Sequence, residues 1–151
     1  MVETARERRH DPVAQFSIFV ENKVGRLLEL LNLFSERNIH VLGLTTVDTS
    51  DSSVMRMVVD DPDAARHLIH EHAIAHTETE VLVVEVDGPL NVKKVLSVIL
   101  QAEINIHYTY SFITRPHGKG AMAFHLEDIE LATQALQRNQ FCILGQEDIS
   151  R

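Results

Sequence analysis

The segment with residue types best suited to a small-molecule site lies between a predicted strand and a predicted helix. It consists of Asn22, Lys23, Val24, Gly25, Arg26 and Leu27. A glycine at such a junction lets the backbone approach a bound group closely, and the free N–H groups of the following helical turn attract a carboxylate. Asn22 adds a donor and an acceptor. The segment is therefore a candidate cradle for a free amino acid, with the alternative that Gly25 only eases the turn and Asn22 only caps the helix.

Histidines suggest a different chemistry. The chain has nine, and His72 and His76 are four residues apart, as are His67 and Glu71, a spacing that places each pair on one side of a helix and suits a cation. The pairs do not converge on one face, and His70 lies between them. A metal site therefore remains an alternative, and no metal or other cofactor is predicted.

Catalytic signals are weak. Cys142 lies in the apolar run 141–144, which favours a core position, and Ser111 and His107 have a spacing too generic for a nucleophile and its base. The sequence contains no phosphate loop, dinucleotide fingerprint or paired-acid motif. We predict no catalytic residues and a protein that is not an enzyme.

Composition limits the partners. The chain has 151 residues, 44% of them hydrophobic, and a formal net charge of −8. It is long enough for one domain or two small ones, and its acidity argues against nucleic acid as a partner. No apolar run approaches the roughly 18 residues of a membrane span, so no membrane association is predicted. A single cysteine cannot form an internal disulfide, and we expect a cytoplasmic protein.

The chain also repeats itself. Residues 38–40, Asn-Ile-His, recur at 105–107, and Met55, Asp61 and Ala65 recur 67 positions later. The helical apolar set that includes Leu27 and Phe34 recurs at an offset of 65, which predicts about two extra residues after the first helix of the second copy. The predicted division is a flexible leader at 1–13, unit 1 at 14–79 and unit 2 at 80–151.

Hydrophobic periodicity gives each unit the order strand, helix, strand, strand, helix, strand. In unit 1, the alternating stretch 14–21 predicts a strand, and apolar residues at i, i+3, i+4 and i+7 from Leu27 predict a helix. Asp61 followed by Pro62 predicts the start of the second helix. The predicted fold class is α+β, with two ferredoxin-like βαββαβ units whose antiparallel sheets carry their helices on one face. The other face is amphipathic and is expected to pack on something.

The loop resembles the asparagine, two residues, glycine, one residue, leucine motif of ACT domains, which are small βαββαβ modules that bind amino acids and regulate metabolic enzymes. The resemblance covers nearly the whole chain as a tandem pair, and residues 108–112 look like the second-repeat strand of stand-alone tandem ACT proteins. The family often has a proline before the loop glycine, where this chain has Val24. In unit 2, Leu90 is expected to replace the glycine and obstruct that loop.

The resemblance implies a ligand between the loop of one unit and strands of its neighbour. It assigns binding to residues 22–27, opposite Tyr108, Tyr110 and Ser111; alternatively, the tyrosine hydroxyls only emerge at the edge of a core. We predict a non-catalytic regulatory protein that senses a small amino acid at the interface between ACT units. Exposed sheet edges favour a homodimer, and a metabolic enzyme is a candidate partner.

Two rival hypotheses remain open. One is a regulatory small subunit of a biosynthetic enzyme such as acetolactate synthase, whose first unit resembles residues 21–60. The other is a metal-binding or plain interaction module, in which the loop is only structural.

Overall fold

The computed structural model describes residues 12–21 and 25–150. Its first half has the order strand, helix, strand, strand, helix, strand: β1 (Val13–Glu21), α1 (Arg26–Glu36), β2 (Val41–Asp48), β3 (Ser52–Val59), α2 (Pro62–Glu71) and β4 (His76–Val86). The second half continues with α3 (Pro89–Gln101), β5 (Ile106–Ser111), β6 (Gly120–Leu126), α4 (Ile129–Arg138), β7 (Ile143–Leu144) and α5 (Gln146–Ile149). The predicted α+β fold of two ferredoxin-like units is confirmed.

Local sequence sets the helix ends. The Asp61 carboxylate accepts a hydrogen bond from the backbone N–H of Ala64 at 3.1 Å, and Asp128 accepts one from Leu131 at 3.0 Å. These two aspartates begin α2 and α4, the second helix of each unit. A side-chain oxygen at this position satisfies one of the N–H groups that a helix leaves unpaired.

Strand β4 pairs with a strand of each unit. It pairs with β1 from His76 to Val81, and with β6 from Leu82 to Val86. The described strands form one sheet with the order β2-β3-β1-β4-β6-β5, and the short β7 also pairs with β4. The predicted boundary between 79 and 80 thus lies inside a continuous strand, and Val13, assigned to the leader, begins β1. Residues 1–11 of that leader lie outside the described residues.

The helices cover one face of the sheet and create two separate cores. The unit 1 core includes Phe16, Phe34, Met57, Leu68 and Ile69. The unit 2 core is built in the same way and includes Val84, Val95, Ile99, Phe124 and Leu136. Fully buried apolar side chains from strands and helices fill both, in agreement with the helical stripes that the sequence predicts.

The helix-free faces of the two units pack on each other. Their inter-sheet core contains Val13, Val58, Val81, Val83, Tyr110, Ala121, Ala123 and Leu144. This packing is the partner that the amphipathic face was expected to need. The edge strands also meet, since Gly43 of β2 forms an isolated bridge with Phe112, and Ile113 N–H donates to the Leu42 carbonyl at 2.6 Å. The edges proposed for dimer formation are therefore partly occupied within one chain.

The repeat register differs from the one expected. His40 N–H donates to the Asp60 carboxylate, and Asn105 N–H donates to the Glu127 carboxylate in the corresponding place. His40 therefore corresponds to Asn105, and the second Asn-Ile-His is shifted by two residues. The extra length of unit 2 lies in the connection from Ser111 to Gly120, which is longer than the one from Asp48 to Ser52. Backbone pairing decides this register, whereas a three-residue identity between repeats does not.

Two further features concern the surface. Cys142 is exposed while Ile143 and Leu144 are buried, so the expected core position of this cysteine is wrong. Strand β7 contains only Ile143 and Leu144, so Cys142, which belongs to the same apolar run but precedes the strand, is not buried against the sheet. None of the described helices has the length and apolar character needed to cross a membrane.

Closure of the sheet predicts sensitivity at Gly43. A Cβ at this position would lie 3.0 Å from Phe112 Cδ1 and 3.3 Å from Tyr110 Cε2. We expect Gly43→Val to lower the free energy of unfolding by about 1–3 kcal/mol in urea denaturation, because both rings must move. Thr46→Val, at an exposed position of the same strand, should change it by no more than about 0.5 kcal/mol. Equal effects of the two substitutions would contradict the close approach.

Candidate functional site

The described part of the predicted loop begins at Gly25, since Asn22, Lys23 and Val24 lie outside the described residues. Gly25 is the N-cap of α1 and has a φ of 89°, in the left-handed region that favours glycine. No described atom lies within 4 Å of the position that a Cβ would occupy there. The backbone at Gly25 is thus open to a neighbouring group on that side.

No side chain among the described residues accepts a hydrogen bond from the N-terminal amides of α1. Glu29 N–H donates to the Gly25 carbonyl at 2.9 Å, and the amides of Arg26, Leu27 and Leu28 precede this first helical bond. Amides in the first helical turn lack carbonyl partners within the helix and favour anions. The side chains near them differ in role, because Arg26 is exposed and pairs with Glu29 at 3.0 Å, whereas Leu27 packs against the unit 1 core.

The second loop is different from what the sequence suggested. Its counterpart of Gly25 is Gly88, which is also an N-cap with a φ of 89°, and Leu90 lies in the first turn of α3 with 66% of its surface exposed. In the register that matches Phe34 with Ile99, Leu90 does lie where Gly25 lies, but α3 begins two residues earlier relative to its apolar stripe, so its N-cap is Gly88. The loop before α3 contains only residues 87 and 88, whereas residues 22–25 precede α1. Pro89 also removes one amide from the first turn.

Tyr108 and Tyr110 lie at the inter-sheet core and bind Gln15. The Tyr110 hydroxyl donates to Gln15 Oε1 at 2.7 Å, and Gln15 Nε2 donates to the Tyr108 hydroxyl at 2.6 Å. Gln15 is fully buried, and burial raises the pKa of the Tyr110 hydroxyl. Among the described contacts, those of the tyrosine hydroxyls reach β1 and not α1. Ser111, the third predicted residue of β5, is exposed at the end of the strand opposite Met122.

The sequence interpretation missed Gln15, Arg56 and His125. The Arg56 guanidinium carbon lies 4.0 Å from the centre of the Tyr108 ring, and the His125 ring stacks on Tyr108 at 4.8 Å. His107 lies next to them, with ring centres 5.0 Å from His125. A polar residue within an alternating strand, such as Gln15 or Arg56, was the only signal available, because the sequence does not show which strands face each other.

The histidine-rich segment does not form a metal centre in the described part of the chain, where no three His, Cys, Asp or Glu side chains are placed to hold an ion. His72 Nδ1 lies 3.1 Å from the Leu68 carbonyl, and His76 Nδ1 lies 3.0 Å from the Ile74 carbonyl. His70 contacts His76 edge to face. These histidines, whose spacing suggested two pairs of metal ligands, thus contact nearby backbone carbonyls and each other at the end of α2 and the start of β4.

The chain thus consists of two units of the same fold that share strand β4. Such an arrangement defines a tandem module. The chain belongs to the ACT domain pair family, whose model matches residues 12–151. The resemblance found in the sequence is thus confirmed.

Solved structures agree with this assignment. Protein BT0572 from Bacteroides thetaiotaomicron superposes with a TM-score of 0.83 at 25% identity, covering 94% of this chain and 98% of that one. The regulatory subunit of aspartate kinase from Thermus thermophilus has a TM-score of 0.60 at 16% identity, covering 83% and 89%. The second likeness shows a shared fold. No curated protein is significantly similar in sequence.

The histidine cluster predicts a pH dependence of stability. Burial lowers the pKa of His125, and the charges of His107 and Arg56 act in the same direction. The folded state therefore binds fewer protons than the unfolded state, in which the pKa is about 6.5, and stability falls as the pH drops from above that value towards the folded-state pKa.

This slope should be measured by urea unfolding between about pH 8 and pH 5.5. We expect His125→Gln to flatten the profile and His67→Gln, at an exposed site on α2, to leave it unchanged. An unaltered slope in His125→Gln would contradict the assignment.

Proposed function

We propose that this protein is a non-catalytic regulatory module that binds a small amino acid at the loop before α1. The observation that supports this most directly is that Gly25, the N-cap of α1, is left-handed and that no described side chain caps this helix. The second helix of each unit, by contrast, carries its own aspartate cap. A ligand carboxylate at α1 would satisfy the amides that no side chain satisfies there.

In this proposal, residues 22–27 hold the backbone groups of the amino acid. Asn22 and the first-turn amides bind its polar ends, while Lys23 and Arg26 add positive charge for the carboxylate. Val24 and Leu27 form an apolar border for a small side chain. The second wall is β5 of a neighbouring unit, where Ser111 is exposed and Tyr108 and Tyr110 fix the strand through Gln15.

The asymmetry between the two loops supports a single site. The loop before α3 is shorter by two residues, and its helix begins with Pro89, which has no amide hydrogen to donate. The side chain of Asn91 accepts from Asp87 N–H at 3.0 Å, so this loop closes on itself. The loop before α1 is longer, and α1 keeps the first-turn amide that α3 lacks.

Occupancy of the loop would act by shifting a population of arrangements between units or protomers. A homodimer, in which the loop of one protomer lies beside a strand of the other, belongs to the same proposal and can be measured by light scattering with and without ligand. A metabolic enzyme is a further proposed partner. Support comes from the Thermus thermophilus chain, a regulatory subunit of aspartate kinase that has this fold and a similar extent.

Gly25 and Gly88 provide a matched pair of variants. Both have a φ of 89° and no described atom within 4 Å of a Cβ, so valine strains the backbone at either position, although Gly25 is left-handed and Gly88, with a ψ of 174°, is not. We expect a screen of the twenty amino acids by thermal shift to find a ligand that stabilises the wild type by roughly 2.7 kcal/mol at one hundred times its dissociation constant.

Calorimetry should then show that Gly25→Val abolishes binding, whereas Gly88→Val and Leu90→Gly retain the wild-type affinity within about threefold. Circular dichroism confirms that each variant is folded. Equal loss of binding in Gly25→Val and Gly88→Val would refute the single site, and no stabilisation of the wild type by any amino acid would refute the function.

A further inference from the structure

Arg56 is a partly buried cation without a carboxylate partner in the described part of the chain. The other partly buried arginine there, Arg66, binds both Asp63 and Glu78. Arg56 contacts the face of Tyr108 but makes no ion pair with a described residue. The chain carries a net charge of −8, so this lack of a counter-charge is a local feature. A cation withdrawn from water is favoured by an anionic partner.

Residues with hydroxyl side chains flank Arg56 in the sheet. Thr45 of β2 and Ser17 of β1 are the cross-strand neighbours of Arg56, and Thr77 of β4 is the neighbour of Ser17 on its other side. Directly paired residues in an antiparallel sheet project from the same face. Arg56 therefore lies in a row of hydroxyl donors on the helix-free face, at the end of the inter-sheet core that Tyr108 closes.

Two imidazoles complete the positive cluster from unit 2. His125 stacks on Tyr108, and His107 lies beside His125. His125 Nδ1 is buried and has no hydrogen-bond partner among the described residues. Burial lowers the pKa of His125, and the charges of His107 and Arg56 lower it further, so the neutral imidazole is favoured as long as no anion balances these charges.

Four carboxylate residues line the same cavity as His125. The cavity has a volume of about 760 Å³, and three of the four carboxylates have partners there. Glu78 binds Arg66, Glu127 accepts hydrogen bonds from Asn105, and Asp128 caps α4. Glu80 is the one of these four without a hydrogen bond or ion pair to a described side chain, and none of the four forms an ion pair with Arg56.

We propose that Arg56, His107 and His125, with Tyr108 as their common platform, bind a small oxyanion, the carboxylate or phosphate group of a metabolite. A guanidinium offers a planar pair of donors that matches either group, and an imidazolium adds a charge-assisted hydrogen bond. This oxyanion site uses none of residues 22–27. It is therefore separate from the proposed amino-acid loop, although it shares Tyr108 with the strand that forms the second wall of the proposed amino-acid site.

Titration calorimetry in a chloride buffer tests the site, with inorganic phosphate and succinate as separate probes. We expect saturable binding of at least one of them, and the stronger of the two identifies the phosphate or the carboxylate as the natural group. Arg56→Gln should weaken binding by at least about tenfold. Arg56→Lys keeps the positive charge but loses the planar pair of N–H donors, so it should weaken binding less than Arg56→Gln does. Arg115→Gln, which removes an exposed charge from the β5–β6 connection, should bind as the wild type does.

A second readout separates binding from a structural role of Arg56. A bound anion favours the protonated imidazole, so the pKa of His125, followed by NMR, should rise when phosphate or succinate replaces chloride, while that of the exposed His67 should not. This rise should persist in Gly25→Val and disappear in Arg56→Gln. The proposal is overturned if neither anion binds saturably to the wild type, if Arg115→Gln loses as much affinity as Arg56→Gln, or if the pKa of His125 does not respond.

Discussion

Strand β4 constrains the whole molecule because this one continuous strand pairs with strands of both units. Its first part pairs with β1 and its second part pairs with β6. With no linker between the units, the helix-free faces are held close together, and each removes the apolar surface of the other from water. The contact of Gly43 with Phe112 then joins the outer edges of the sheet. The relative placement of the two units thus follows from one strand and one shared core.

A polar network lies within this otherwise apolar core. Gln15 is fully buried, yet its amide oxygen and nitrogen both find tyrosine hydroxyls of β5. A satisfied buried network costs little to keep and a great deal to disrupt, so it selects one alignment of β1 against β5. Since β1 leads directly into the proposed ligand loop, this network also provides a physical connection between that loop and unit 2.

The two units have diverged where chemistry is expected. Each starts its first helix at a glycine with a φ of 89°, but the loop before α1 is two residues longer, and α1 keeps the first-position amide that Pro89 removes from α3. On the helix-free face, Arg56 of unit 1 lies near imidazoles of unit 2, so a charged cluster forms between the repeats rather than within either of them. The two units share a scaffold and differ in the loops before their first helices and in the residues of their strands.

The sequence by itself determined the elements of the fold. Apolar spacing predicted α1 and β1, Asp61 and Pro62 predicted the start of α2, and the repeat predicted two units of the same kind, because these signals depend on neighbours within about one or two turns of chain. The tertiary structure alone decided which residues meet. The partners of Gln15, the position of Arg56 against Tyr108 and the equivalence of Gly88 with Gly25 depend on strand register and on the length of loops and helices. A register shift of one residue reverses the face on which every side chain lies, and no local pattern in the sequence records that choice.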